Sequence, residues 1–220
     1  MGRLRGFYGS MVGKKVVMGV TGLIGIGYVI LHVLGNLLIF RGAEAINGYS
    51  HFLHSTGELL WGVRIVLIVA VILHVIAAVQ LTRQSRAARP IGYIKQEHQV
   101  ATVGSRTMRW GGALLFVFIV LHILHFTTGT IRPAGIFSQG DVYVNLVTSF
   151  RIWWVVLFYV IAMVALGLHL FHGAWSSVRS IGVSRATPEP LHHRISLVFA
   201  ILVWAAFTAV PIAVFTGLIR

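Results

Sequence analysis

The residues of this chain with the clearest capacity for chemistry are its histidines. There are 11 in 220 residues, against five Asp and Glu residues and no Cys. Ionisable side chains are costly inside long apolar segments, and there they commonly mark a functional site. Six of the histidines occupy such segments: His32, His74, His122, His125, His169 and His172. Because they are spread over four segments with so few carboxylates to pair with, a bound group explains them better than packing does.

Neutral imidazole without thiolate or carboxylate suits a haem iron held between two His ligands, one on each face of the porphyrin. Four segments that each offer a His therefore predict two b-type haems. Since the sequence contains no Cys, disulfides, thiolate metal sites, iron–sulfur clusters and covalent c-type haem attachment are excluded as features of this chain.

The elements that must position these histidines are membrane helices. With 57% hydrophobic residues, 10% charged residues and a mean hydropathy of +0.85, the chain lies outside soluble composition. The apolar residues form five runs, each close to the ~20 residues that cross a hydrocarbon core as a helix. The runs cover roughly 16–40, 59–81, 110–128, 152–178 and 195–219. A β-barrel would need short alternating segments instead. We therefore expect one all-α domain of five transmembrane helices over residues 1–220.

The net charge of +13 is explained by membrane topology rather than by nucleic acid. If the N-terminus is cytoplasmic, the inner segments carry most of the 18 basic residues, namely Arg3, Arg5, Lys14, Lys15, Arg83, Arg86, Arg89, Lys95, Arg106, Arg109, Arg179, Arg185 and Arg194. The outer segments carry only Arg41, Arg64, Arg132, Arg151 and Arg220. The positive-inside rule thus predicts a cytoplasmic N-terminus and an external C-terminus. Only two connections, 82–109 and 131–150, are expected to be long enough to hold much structure.

The depth of each histidine sorts the candidates into two pairs. At a rise of ~1.5 Å per residue, His32 lies about 24 Å and His122 about 18 Å from the cytoplasmic edge. His74 lies about 8–10 Å from the same edge, and His169 lies within several Å of it. His32 and His122 form the outer pair, and His74 and His169 form the inner pair. Two haems held in this way would form a path for electron transfer across the bilayer.

Spacing alone leaves alternatives open. His125 and His172 follow His122 and His169 by three residues, so they are alternative ligands or donors to haem propionates or quinone. The His-x-x-His pairs, together with His192 and His193, also permit a non-haem di-iron or zinc site, although such sites usually include carboxylates. A bc-type cytochrome b is disfavoured, because that family places two ligands far apart on one helix.

Several stretches resemble a known family. They lie at 12–22, 32–37 (HVLGNL), 47–53, 73–75, 88–90, 105–108 and 167–176 (GLHLFHGAWS). In this order they are similar to the five-helix, di-haem cytochrome b subunit that anchors bacterial succinate:quinone oxidoreductases and quinol:fumarate reductases. The likeness runs over nearly the whole chain, although no single motif is decisive.

The resemblance implies particular ligands: His32 and His122 for the outer haem, and His74 and His169 for the inner haem. The family's helix-4 ligand is followed four residues later by Gly, which selects His169 because of Gly173. The separation of Arg109 from His122 matches the family on helix 3. In one departure, Gly167 stands where some fumarate reductases carry a transmembrane Glu, so proton transfer through such a Glu is not expected.

The resemblance also implies partners and a quinone. A flavoprotein with covalent FAD and an iron–sulfur protein would dock on the basic cytoplasmic face, and the quinone would be menaquinone. For quinone protonation our candidates are Glu58, His54 and His51, at the outer end of the bundle. A second possible quinone site lies at the inner face, near Ser10, Lys14, Lys15, Ser105 and Arg106.

We therefore expect a multi-pass subunit of respiratory complex II in the bacterial cytoplasmic membrane. It would link succinate oxidation in the tricarboxylic acid cycle, or fumarate reduction, to the quinone pool, within a complex that can form a higher oligomer. It is not expected to oxidise succinate alone. The rivals are a di-haem cytochrome b of another quinone-linked dehydrogenase, of formate dehydrogenase or hydrogenase type, and a non-haem His-metal membrane protein.

Overall fold

The computed structural model describes residues 2–88, 103–182 and 190–220, with side chains from residue 6 onward and not at 190. Within these ranges the chain is helical and contains no strand. Its α-helices are α1 (Gly2–Gly9), α2 (Met11–Leu37), α3 (Ala43–Ser55), α4 (Glu58–Ala87), α5 (Val103–His122), α6 (Val142–Phe150), α7 (Trp153–Ser180) and α8 (Pro190–Phe215). A 3₁₀ turn, Leu38–Arg41, extends α2, and a π-turn, Ile123–Thr127, extends α5. The expected residues Arg89, Lys95 and Arg185 lie outside the described ranges.

Five of these helices, α2, α4, α5, α7 and α8, are long and apolar enough to cross a membrane, with mean hydropathies between 1.9 and 2.7. The predicted all-α fold with five spanning helices is therefore confirmed. The helices are longer than most of the predicted apolar runs because helical hydrogen bonding continues into the polar ends. For example, α4 runs six residues beyond 81, and α5 starts seven residues before 110.

The expectation that only two connections hold much structure is wrong. The short stretch between the first two spans folds into α3, which buries Ile46 and starts after Gly42 at φ 96°. The mixed polarity of α3 gives no hydropathy signal in the sequence. The helix packs against α6 and the 3₁₀ turn, which lie outside its own segment. The second connection contains α6, whose N-cap Asp141 accepts a hydrogen bond from the Val144 amide at 3.0 Å.

The spanning helices are arranged around α2 and α7. Helix α7 packs against α5, α2 and α8, while α4 packs against α2. Small residues permit the closest approaches: a Cβ on Gly19 would lie 3.3 Å from the Ser177 carbonyl, and one on Gly104 would lie 2.9 Å from the Leu168 carbonyl. The row α4–α2–α7–α5 follows. Neither α2 with α5 nor α4 with α7 is among the closely packed pairs of described helices.

Large apolar side chains cover the outside of this bundle. Trp110 on α5 is 83% exposed, and Ile65 on α4 is 57% exposed. Such a surface suits hydrocarbon rather than water.

A disulfide should form between α2 and α7 in the double variant Gly19→Cys with Ser180→Cys. The ideal Cβ of residue 19 lies 3.3 Å from the Ser180 Cβ, near the ~3.5–4.5 Å that a disulfide needs. Because the natural sequence contains no Cys, no other disulfide can form within the chain. Mass spectrometry of unreduced tryptic fragments should find the two segments joined. The control is Gly27→Cys with Ser180→Cys, since a Cβ at Gly27 has nothing within 4 Å. Equal yields in the two variants would contradict the α2–α7 contact.

Candidate functional site

The predicted outer pair comes together in the structure. His32 on α2 and His122 on α5 have ring centroids 5.9 Å apart, with the ring planes at 86°. Aromatic rings surround them: Tyr28 stacks on His32 at 5.3 Å, and Phe118 and Phe126 lie 5.5 and 5.7 Å from His122. Two imidazoles from different helices thus meet inside an apolar, aromatic pocket.

The predicted inner pair also comes together. His74 on α4 and His169 on α7 have ring centroids 6.1 Å apart. The His74 Nδ1 lies 3.1 Å from the Met18 carbonyl and 3.2 Å from the Thr21 hydroxyl oxygen. A carbonyl can only accept, so Nδ1 carries the hydrogen and the Nε2 lone pair of His74 is left for another partner.

Each histidine pair joins two helices that are not closely packed on one another. In the row of helices α2 is separated from α5 by α7, and α4 is separated from α7 by α2, so each histidine pair connects helices that are second neighbours. Glycines leave room beside the inner pair: a Cβ on Gly22 would lie 3.4 Å from His74 Cε1, and one on Gly112 would lie 3.8 Å from His169 Cε1. A cavity of about 280 Å³ also opens beside His169, between α5 and α7.

Several buried ring nitrogens on α7 and α8, at and near the inner pair, have no hydrogen-bond partner. Nδ1 of His169 and Nδ1 of His172 are buried and have no hydrogen-bond partner. Trp175 Nε1 and His193 Nε2, also without partners, lie on rings whose centroids are 4.6 Å apart. Native proteins usually pair such atoms with protein groups, water or a bound group, so each of these nitrogens still needs a partner.

His125, the alternative to His122, is held differently. Its Nδ1 lies 3.0 Å from the Tyr159 hydroxyl, and its Nε2 lies 2.9 Å from the Ser149 hydroxyl. Both ring nitrogens are therefore engaged, and the side chain is only 6% exposed. His122 has one such contact, from Nδ1 to the same Tyr159 hydroxyl at 3.3 Å, and keeps Nε2 free.

The histidines of the described residues form pairs and not larger metal-binding groups. Among these residues no cluster of three or more His, Asp or Glu side chains could hold a metal ion directly. The His-x-x-His pairs therefore do not combine with His192 and His193 into one site here.

The predicted quinone residues at the other end of the bundle lie on the surface. His51 and His54 of α3 and Glu58 at the start of α4 are all exposed. The His54 Nδ1 donates to the Ser50 carbonyl at 2.8 Å. No hydrogen bond among the described side chains joins these three residues, so their role stays a prediction.

The predicted residues at the opposite end have mixed environments. Ser10 is the N-cap of α2 and accepts from the Gly13 amide at 3.0 Å. Lys14 is only 6% exposed, and its Nζ donates to the Gly9 carbonyl at 3.2 Å, whereas Lys15 and Arg106 are exposed. Ser105 is half-buried.

Tyr159 and Ser149 contact the candidate histidines His122 and His125, and the sequence did not indicate either residue. A Tyr in an apolar span is unremarkable by type, and Ser149 lies outside the predicted spans. The available signal was the position of Tyr159 on α7, ten residues before His169. Only the rotation of the helices shows that it faces His122.

No family model matches the chain, and no curated protein or solved structure matches it either.

Helix α6 carries Ser149, which contacts His125. Asn47 of α3 holds the start of α6 through two hydrogen bonds. Asn47 Nδ2 donates to Asp141 Oδ1 at 2.9 Å, and its Oδ1 accepts from the Tyr143 amide at 3.0 Å. Asn47→Ala should destabilise the protein by about 1–2 kcal/mol, because it leaves the backbone N–H of Tyr143 without its acceptor. Thermal unfolding in detergent measures this as a lower midpoint.

The matched control for that substitution is Ser55→Ala on the same helix. Ser55 is exposed and bonds only within α3, to the Phe52 carbonyl at 2.7 Å, so its loss should cost less than about 0.5 kcal/mol. Similar midpoints for the two variants would show that Asn47 does not fasten α6.

Proposed function

We propose that this chain is a membrane-spanning cytochrome b that binds two haems, each between two histidines. His32 and His122 would hold one haem, and His74 and His169 would hold the other. The observation that carries the proposal is the meeting of these four side chains in two opposed pairs, each bridging helices that are not closely packed on one another.

The separation within each pair supports this assignment. With a metal–nitrogen bond of about 2.0 Å and about 1.1 Å from nitrogen to ring centre, two imidazoles that shared one metal ion would have ring centroids up to about 6.2 Å apart. The observed separations are 5.9 and 6.1 Å.

The chemistry of the donors supports it as well. His74 directs its Nδ1 hydrogen to the Met18 carbonyl, which leaves Nε2 as the ligand atom and fixes the ring orientation. The His169 ring has room beside it, next to small residues and a cavity. When bound, the haems would supply reversible one-electron chemistry in an apolar setting.

The setting of the sites suits transmembrane electron transfer. Tyr159 lies beside His122, and His169 follows ten residues later on α7, so the two pairs differ in depth by about 15 Å. One pair therefore lies in each half of a membrane about 30 Å thick. Electrons entering at one face would reach the other through this chain.

We further propose the complex that the chain serves. Exposed Arg83, Arg86, Arg106 and Arg109 lie at the end of the bundle where α2 begins, and by the positive-inside rule this end faces the cytoplasm of a bacterium. By the resemblance, an iron–sulfur protein and a flavoprotein with covalent FAD dock there. The chain is then the anchor of a succinate dehydrogenase or fumarate reductase that exchanges electrons with menaquinone.

The decisive measurement is the number of haems. A pyridine haemochrome assay on the detergent-purified complex should find two b haems per chain. His74→Ala should lower this to one, because the inner haem would lose one of the two histidines that hold it. His32→Ala should remove the other haem in the same way. The control His54→Ala changes an exposed histidine outside both pairs and should retain two haems.

Other results would lead elsewhere. A folded wild-type protein with bound metal and no porphyrin would replace the cytochrome assignment by the non-haem one. Two haems with co-purifying partners that lack covalent flavin would keep the cytochrome and replace the succinate dehydrogenase assignment by another quinone-linked dehydrogenase. Loss of the His32–His122 haem on His74→Ala would contradict the pairing.

A further inference from the structure

A buried chain of polar side chains leads away from His122. The Tyr159 hydroxyl lies 3.3 Å from His122 Nδ1 and 3.0 Å from His125 Nδ1, and His125 Nε2 lies 2.9 Å from the Ser149 hydroxyl. Tyr159, His125 and Ser149 are 7%, 6% and 4% exposed. In such surroundings the direction of each hydrogen bond matters, because an unpaired donor or acceptor is costly.

Only two hydrogen orders satisfy these contacts with neutral rings. The Tyr159 hydroxyl has one hydrogen, and His122 and His125 are its partners, so that hydrogen is paired only when Tyr159 donates to one histidine and accepts from the other. In the first order, His122 Nδ1 donates to Tyr159, Tyr159 donates to His125 Nδ1, and His125 Nε2 donates to Ser149. In the second order every bond is reversed, and the hydrogen of His122 then sits on Nε2.

We propose that Tyr159 is a positioning residue that selects the iron-binding tautomer of His122. The inference rests on the proposed function, since it needs His122 to be a haem ligand. Only the first order leaves the Nε2 lone pair of His122 free for a metal. It also makes His125 a hydrogen-bond partner rather than a rival ligand, because both of its nitrogens are occupied.

The rings around Tyr159 hold its hydroxyl in place. Phe118, Phe150 and Phe158 have ring centroids 5.2, 5.0 and 5.8 Å from the Tyr159 ring. The ring is thus fixed by packing, and Tyr159→Phe removes the hydroxyl while it keeps the ring.

This contact should tune the haem as well as orient its ligand. A ligand imidazole that donates its other N–H becomes more basic, and a more basic ligand favours ferric iron. Removing the acceptor should therefore raise the midpoint potential of the His32–His122 haem. The other haem is an internal reference, because His74 donates to the backbone carbonyl of Met18, far from the substitution.

The test is a redox titration of the purified complex carrying Tyr159→Phe, followed by optical and low-temperature EPR spectra. We expect the ferrous-to-ferric ratio of the His32–His122 haem to rise about three- to tenfold at a given potential, which is about 30–60 mV at ~59 mV per tenfold. The EPR signal of that haem should shift, and the His74–His169 haem should keep its potential and signal. Loss of the His32–His122 haem alone, in a folded protein, would also support the proposal.

Tyr143→Phe is the matched control. It removes a phenol at the same end of the bundle, one that donates to the Arg220 carbonyl at 2.9 Å and does not contact a histidine. Both haems should be unchanged. If Tyr159→Phe also leaves both potentials and both EPR signals unchanged, or shifts the two haems equally, the positioning role is wrong while the cytochrome assignment stands. Absence of haem from the wild type would instead remove the proposed function.

Ser149→Ala provides a second variant that leaves Tyr159 and both ligands intact. His125 Nε2 loses its acceptor, so the chain of hydrogen bonds weakens at its far end. The potential of the His32–His122 haem should rise by less than in Tyr159→Phe. A lower potential of the His32–His122 haem in Ser149→Ala would overturn the proposed hydrogen order. If Tyr159→Phe does not fold, an unchanged potential in Ser149→Ala would overturn it as well.

Discussion

The constraint on which the rest of the structure depends is the cost of placing imidazole nitrogens inside an apolar bundle. Water is not available there, so each nitrogen must find a partner among helices that are otherwise hydrocarbon. The chain meets this demand locally for His74 and His125, through a backbone carbonyl and through two hydroxyls. It leaves Nδ1 of His169 and of His172 unpaired. The demand is thus met for Nδ1 of His74 and for both nitrogens of His125, and it is not met by protein groups for Nδ1 of His169 and of His172.

The same constraint is consistent with the way the helices are spaced. Where only small residues lie between two backbones, the helices approach closely, as at Gly19 and Gly104 against α7. Where histidines face each other, the helices are not closely packed, and the rings extend into the space between them. The row α4–α2–α7–α5 combines both kinds of contact: close helix packing along the row and histidine pairs between second neighbours.

Hydropathy predicted the five spans because the cost of unpaired backbone in lipid forces long, continuous helices. Depth along those helices sorted the candidates into an outer and an inner group, since rise per residue is nearly constant, but it left His125 beside His122 and His172 beside His169 as alternatives. Rotation is a different matter. Whether His122 or His125 faces a partner depends on how α5 sits against α6 and α7, and Tyr159 enters the site only through that rotation. Helix α3 escaped prediction for a related reason: its contacts to α6, through Asn47, are made by residues distant in sequence.

The fastening of α6 connects these levels. Asn47 holds the start of α6 through Asp141 and the Tyr143 amide, and the end of α6 presents Ser149 to His125. A polar contact in a connection outside the spans therefore reaches His122 through Ser149, His125 and Tyr159. From Ser149 to His122 each step is a hydrogen bond, so the choice of donor at one end fixes the direction of the bonds up to the other end. A site buried among apolar helices is in this way kept in order by residues at the rim of the bundle.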